Sequence, residues 1–144
     1  MDWTLELVVV PVADVDRAKE FYADRCGFTV DHDTAPGPGV RIVQLTPPGS
    51  RCSIVIGTGV PPLPGTAVTA PGALHGLQLC VPDLRRAHAQ LAERGVPVGP
   101  LSHLGAEGWV EGYAEEAWSS FFPFADPDGN GWAVQEAPTP LAQR

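Results

Sequence analysis

Hydrophobic and polar positions predict a strand followed by a helix near the start of the chain. Residues 5–12 form an apolar run of strand character. Asp14 comes next and suits a helix N-cap, because its carboxylate can accept hydrogen bonds from the unpaired N–H groups of the first turn. Gly27 stands where a helix end is expected, since glycine readily takes the left-handed backbone found there. Between them, apolar residues recur at helical spacing, at Val15, Ala18, Phe21 and Tyr22.

The same order returns in the second half of the chain. Residues 12–18 are matched 69 positions later by residues 81–87, and residues 77–81 form a second apolar run. Asp83 is the matching N-cap, and Gly95 the matching helix end. Short β-type runs follow each helix, at 28–31, 41–46 and 53–56, then at 96–101, 119–124 and 132–136. The pattern predicts a single domain of two β-α-β-β-β modules, 5–57 and 74–136, with a Gly- and Pro-rich linker, 58–73.

Composition narrows the classes of function. The chain has 144 residues, long enough to bury a core without disulfides or a structural metal. Nine basic against seventeen acidic residues give a formal charge of −8, which argues against nucleic-acid and membrane partners, because these bind through Lys and Arg. The cysteines, Cys26, Cys52 and Cys80, are odd in number and widely spaced, which indicates reduced thiols. Without a basic segment ahead of an apolar run, we expect a cytoplasmic protein. The single Lys beside eight Arg, with abundant Ala, Gly and Pro, indicates a GC-rich bacterial genome.

Two motifs and the repeat resemble the vicinal oxygen chelate superfamily, which includes glyoxalase I, extradiol dioxygenases, fosfomycin-resistance transferases and bleomycin-resistance proteins. The motifs are Val12-x-Asp14-x-Asp16-Arg17-Ala18-x-x-Phe21-Tyr22 and Asp126-Pro127-Asp128-Gly129-Asn130-Gly131. The resemblance extends over residues 5–136. It implies an α+β fold in which two β-α-β-β-β modules form curled mixed sheets around a cleft, with the helices outside.

Catalytic members of this superfamily bind a metal through cleft-facing positions on the first and last strand of each module. Carried over, these positions fall on Leu7, Gly76, Ala133 and either Val55 or Ile56, none of which has a metal-binding atom in its side chain. We therefore expect no metal and no cofactor. The alternative is a displaced metal site formed by the neighbouring Glu6, His75 and Glu136.

Strand periodicity extends the implied cleft face. If Leu7, Gly76 and Ala133 face the cleft, alternation places four further side chains there, those of Val9, Gln78, Cys80 and Gln135. The two glutamines either orient a ligand or are satisfied structural amides. Arg41 and Gln44 can also reach the cleft if the register allows. Alternation puts the remaining strand residues under the helices, namely Val8, Val10, Leu77, Leu79, Trp132 and Val134.

A long segment, residues 102–118, is predicted to be a loop that covers the cleft. Trp109, Tyr113 and Trp118 can stack on a planar ligand, or else they close one end of the core. His103 is a candidate general base, because histidine titrates near neutral pH. Residues 95–143 contain seven acidic residues and no Lys or Arg, which favours an uncharged or cationic ligand over an anionic one.

Two hypotheses follow from different classes of function. The first is a protein that binds a small neutral or cationic organic molecule without a metal, as in the bleomycin-resistance branch, and sequesters a drug or metabolite. The second is a lyase, isomerase or dioxygenase-type enzyme of the same fold, metal-free or with a displaced metal site. Resemblance to the bleomycin-resistance branch also implies a homodimer. Whether the protein is an enzyme is left open by the sequence.

Overall fold

The computed structural model describes residues 1–138, which form nine strands and two α-helices. The strands are β1 (Leu7–Val9), β2 (Thr29–Gly37), β3 (Val40–Thr46), β4 (Ser53–Thr58), β5 (Leu77–Val81), β6 (Ser102–Gly105), β7 (Gly108–Glu111), β8 (Ser120–Ala125) and β9 (Gly131–Glu136). The helices are α1 (Val15–Lys19), continued by a π-helical segment (Glu20–Arg25), and α2 (Leu84–Glu93). No helix in residues 1–138 is long and apolar enough to span a bilayer.

The first compact unit comprises Met1–Leu74 together with Asp126–Asn130. Its sheet has the order β1-β4-β3-β2, with β1 parallel to β4 and the other pairs antiparallel. Asp14 caps α1 as predicted, its carboxylate accepting a hydrogen bond of 3.1 Å from the Arg17 N–H. Gly27 has φ 79°, the left-handed backbone that ends the helical stretch.

The core of this unit lies between the helical stretch and one face of the sheet. Its members are apolar and at most 5% exposed: Val15, Ala18, Phe21, Tyr22, Val43, Leu45, Ile54 and Ile56. The opposite face of the sheet carries Leu7, Val9, Gln44 and Val55, which share a face because they are paired across β1, β4 and β3. This face is only partly buried within the unit.

The second unit comprises His75–Ala125 and the chain from Gly131 onward, and its sheet has the order β5-β9-β8-β6-β7. Strand β5 runs parallel to β9, and the other pairs are antiparallel. Helix α2 begins at the N-cap Asp83, which accepts from the Arg86 N–H at 3.0 Å. The helix packs on the face that carries the buried Phe122, Trp132 and Val134.

The structure confirms the α+β class with curled mixed sheets and helices outside, but it corrects two predicted elements. Residues 96–101 do not form a strand, and only Val98 makes an isolated bridge, to Phe124. Pro97 and Pro100 explain this, because proline has no N–H to donate to a neighbouring strand. The predicted loop 102–118 instead begins with a hairpin of β6 and β7.

Candidate functional site

One face of the second sheet brings together residues from five strands. Register aligns Cys80, Gln135, Phe121, Ser102 and Glu111 in a single row from β5 to β7. The adjacent row carries Gln78, Ala133 and Pro123. Because alternate residues point to opposite sides of a strand, this face is the one turned away from α2. We call these eight residues, together with Trp109, the amide–aromatic face.

The two glutamines of this face are hydrogen bonded to each other, and Gln135 is also bonded to the segment that follows the hairpin. Gln78 Nε2 donates to Gln135 Oε1 at 2.7 Å, and Gln135 Nε2 donates to the backbone oxygen of Trp118 at 2.8 Å. The Cys80 thiol makes a longer contact, 3.9 Å, with the same Gln135 oxygen. Trp118 has φ 67°, a left-handed conformation that is costly for a residue with a side chain. The Gln135 amide therefore secures a strained point of the backbone.

Two aromatic rings meet on the hairpin side of the face. Trp109 on β7 pairs with Leu104 on β6, which lies two residues after Ser102. Trp109 therefore faces the same side of the sheet as Ser102 and Phe121. Its ring makes an edge contact with Phe121, with centroids 5.3 Å apart and planes at 88°. Trp109 is 62% exposed, so a large part of the indole remains accessible within this unit.

His103 and Tyr113, two of the residues proposed from the sequence, lie elsewhere. His103 pairs with the buried Ser120, which places it on the α2 side of the sheet, and its Nδ1 lies 2.8 Å from the Gly112 carbonyl oxygen. Tyr113 donates its hydroxyl hydrogen to Glu136, while the Arg85 guanidinium lies 4.0 Å from the centre of its ring. The hydrogen bond to Glu136, together with partial burial, raises the pKa of Tyr113 above its usual value. We therefore leave both residues out of the site.

Arg41 also lies on the helix side, on β3 of the first sheet. Its guanidinium makes a two-point contact with Asp33, at 3.0 and 2.9 Å, and a further ion pair with Asp16. Hydrogen bonds from Arg41 and Lys19 hold the pKa of Asp33 well below its usual range. The pKa of Arg41 is raised in turn by Asp33 and Asp16. Alternation along β3 separates Arg41 from Gln44, which shares the opposite face with Leu7 and Val9.

The residues at the superfamily's metal positions do not fit a metal. Leu7, Val55, Gly76 and Ala133 have no donor atoms, and Ile56 is buried on the helix side. In the described part of the chain, no three His, Cys, Asp or Glu side chains are grouped so that they could hold an ion. This includes the alternative set from the sequence, Glu6, His75 and Glu136. Both oxygens of Glu136 already accept hydrogen bonds, from Tyr113 and from the backbone N–H of Leu84.

Comparison with known proteins identifies the family. A model of the Glyoxalase/Bleomycin resistance protein/Dioxygenase superfamily matches residues 4–134. The chain belongs to this superfamily. A search of curated proteins found no match.

Solved structures of superfamily members align over nearly the whole chain. TnmS3, an antibiotic binding protein from Streptomyces sp. CB03234, is 32% identical over 94% of this chain and 97% of its own, with a TM-score of 0.71. A glyoxalase/bleomycin resistance protein from the same strain is 33% identical over 92% and 99%, with a TM-score of 0.67. A superfamily member from Sphaerobacter thermophilus DSM 20745 is 25% identical over 94% and 98%, with a TM-score of 0.69.

Sequence reasoning missed Phe121 and the role of the hairpin in presenting Trp109. A signal for Phe121 was available, since it alternates with Ser120 and Phe122 in a predicted strand and so must face the other way. The pairing of β6 with β8 had no comparable local signal, because it depends on which distant strand the hairpin meets.

Proposed function

We propose that this protein binds a small neutral or cationic organic molecule on the amide–aromatic face, without the metal used by catalytic superfamily members, and sequesters it. The observation that carries this proposal is the combination on one sheet face of accessible aromatic rings with a hydrogen-bonded amide pair. Small-molecule sites are typically apolar and aromatic, with a few polar groups that fix orientation. The similarity to TnmS3, an antibiotic binding protein, supports a small-molecule ligand.

Charge supports a neutral or cationic ligand. Glu111 lies in the same row as Phe121 and is exposed, and the hairpin turn and following segment add Glu107, Glu115 and Glu116. No Lys or Arg occurs between Gly95 and Gln143. A cation near Trp109 would gain both from these carboxylates and from the indole face.

We also propose that the protein is a homodimer in the bacterial cytoplasm. Support comes from the superfamily's bleomycin-resistance branch and from exposed apolar side chains near β1, where Leu5 and Val9 are 72% and 65% exposed. Light scattering at micromolar concentration should give twice the mass of the chain, which is 15.2 kDa. A mass of one chain would contradict the dimer.

Binding of a cationic aromatic dye tests the proposed ligand class. Proflavine should bind saturably, as followed by its fluorescence anisotropy, and Trp109→Ala should weaken binding about tenfold because stacking and cation–π contacts are lost. Trp3→Ala is the matched control, since Trp3 is 87% exposed and lies in the first unit. Added salt should weaken binding, because the carboxylates are exposed.

Two results would contradict the proposal. One is equal affinity for the dye in wild type, Trp109→Ala and Trp3→Ala, which would place binding elsewhere. The other is the absence of saturable binding of proflavine and of a wider panel of neutral and cationic aromatic compounds. A chelator should leave the affinity unchanged, and a loss of binding that added metal restores would overturn the metal-free part of the proposal.

A further inference from the structure

We infer that Oε1 of Gln78 is the acceptor that selects the ligand, and that the preferred ligand brings an N–H or O–H donor to it. This inference rests on the proposed function, because it specifies the chemistry of the same site. It follows from the direction of the hydrogen bonds that connect Gln78, Gln135 and Trp118.

The orientation of both amides is fixed by the backbone. The carbonyl oxygen of Trp118 can only accept, so the Gln135 group 2.8 Å away from it must be the nitrogen. Gln135 therefore turns its oxygen toward Gln78, and the Gln78 group 2.7 Å from that oxygen must be a nitrogen as well. Flipping either amide would set two acceptors or two donors against each other. The oxygen of Gln78 is consequently the end of the chain of hydrogen bonds.

The acceptor capacity of the pair is unequal. Gln135 Oε1 already accepts from Gln78 Nε2 at 2.7 Å and has a longer contact, 3.9 Å, with the thiol of Cys80. No residue among 1–138 donates a hydrogen bond to Gln78 Oε1, and Gln78 is exposed within its unit. A ligand with a donor can meet this oxygen without displacing a protein contact. Each amide nitrogen keeps a second hydrogen, but the acidic side chains of the hairpin disfavour a ligand with anionic acceptors.

The sheet sets the distance between this acceptor and the aromatic rings. Gln78 lies on β5 and Phe121 on β8, with β9 between them. The two residues are two strand spacings apart and lie in adjacent rows, so their backbone positions are about 12 Å apart, and a ligand that stacks on the rings and reaches Gln78 must be of that order of length. A planar fused-ring compound with a donor at its edge meets both requirements. A matched pair of such compounds differs only in whether the edge nitrogens carry hydrogens or methyl groups.

The experiment compares proflavine with acridine orange. Both are planar acridinium cations near neutral pH and share the protonated ring nitrogen, but the exocyclic nitrogens of proflavine carry hydrogens and those of acridine orange carry methyl groups. We expect the ratio of their dissociation constants to favour proflavine more in wild type than in Gln78→Leu, by about five- to tenfold. Using the ratio cancels differences in the intrinsic affinity of the two ring systems. Gln90→Leu, on the exposed side of α2, is the matched control and should leave the ratio unchanged.

A second variant guards against a general disturbance of the face. Gln78→Asn keeps both an amide nitrogen that can donate to Gln135 and an acceptor oxygen, so the preference for proflavine should be larger there than in Gln78→Leu. If both dyes bind and the ratio is the same in wild type and Gln78→Leu, the inference is wrong while the proposed function stands. If neither dye binds the wild-type protein, the inference is wrong, and the proposed function is contradicted as well if the wider panel of aromatic compounds also fails to bind. A loss of preference in Gln78→Asn equal to that in Gln78→Leu would also overturn the inference.

Discussion

Asp126 shows how one residue can hold a loop in place. Its carboxylate is buried and accepts four hydrogen bonds, from the Tyr22 hydroxyl, the Asn130 side chain and the backbone N–H groups of Asp128 and Asn130. Four donors offset the cost of removing the charge from water. The Asp-Pro-Asp-Gly-Asn motif therefore has a structural role in this chain. Its conformation depends on Tyr22, which is more than a hundred positions away in the sequence.

Removing the Tyr22 hydroxyl tests this role. Tyr22→Phe should lower the free energy of unfolding by about 1–3 kcal/mol, because a buried carboxylate loses one of its donors without gaining water. Tyr113→Phe is the matched control, since its hydroxyl also bonds a carboxylate but is only partly buried, and it should cost less. Urea unfolding monitored by tryptophan fluorescence measures both. Equal losses in the two variants would show that burial does not strengthen the Tyr22 contact.

Helix α2 illustrates how an element is held by side chains from other parts of its unit. Asp83 caps its first turn, and Glu136 at the end of β9 accepts the N–H of Leu84 at 3.0 Å with one oxygen. The other Glu136 oxygen accepts from Tyr113, whose ring lies against Arg85. Glu136 thus connects the helix start to the segment after the hairpin. A residue considered for a displaced metal site has a structural function instead.

The raised pKa of Tyr113 gives this contact a measurable pH dependence. Because the folded pKa lies above the unfolded value of about 10, the contact stabilises the fold below that pH. Its contribution is lost as the pH rises through the folded pKa. In Glu136→Gln, the pKa of Tyr113 should fall toward its ordinary value, and the loss of stability at alkaline pH should become smaller.

Ultraviolet absorbance of tyrosinate measures this shift. Tyr22 and Tyr113 are the two tyrosines of the chain, so subtracting the titration of Tyr113→Phe isolates the Tyr113 step. Glu93→Gln, at the C-terminal end of α2, removes a comparable carboxylate and should leave the step where it is. An unchanged Tyr113 step in Glu136→Gln would show that the carboxylate does not cause the shift.

At the scale of the whole molecule, chain order and spatial order differ. Asp126–Asn130 lies between β8 and β9 of the second unit, yet it packs as part of the first. Within that unit, Asp128 accepts from the Ala13 N–H and pairs with Arg17, and Asn130 bonds both Pro11 and Leu74. The first unit is therefore incomplete without Asp126–Asn130, a segment from the C-terminal part of the sequence.

Gly72 lies at the point where the linker meets this segment. A Cβ added there would stand 2.1 Å from the Asp128 carbonyl oxygen, and the backbone has φ 80°. Gly72→Ala should therefore cost several kcal/mol, from backbone strain plus a clash with distant main chain. Gly65→Ala is the control, because Gly65 has φ 84° but nothing within 4 Å, so only the strain of about 1 kcal/mol applies. Equal losses of stability in the two variants, measured by thermal unfolding, would contradict the close approach of Gly72 to the Asp128 carbonyl oxygen.

The sequence by itself determined the order of elements in the first half of the chain, the N-caps Asp14 and Asp83, the strand β5 and the alternation of Gln78 and Cys80 along it. These features depend on the types and spacing of residues that are close together in the chain, so the sequence alone is enough to predict them. Tertiary structure decided that Arg41 and His103 face the helices, that Trp109 meets Phe121, and that Gln135 holds the Trp118 backbone. Those outcomes depend on strand register and on partners far away along the chain, and no local pattern encodes either.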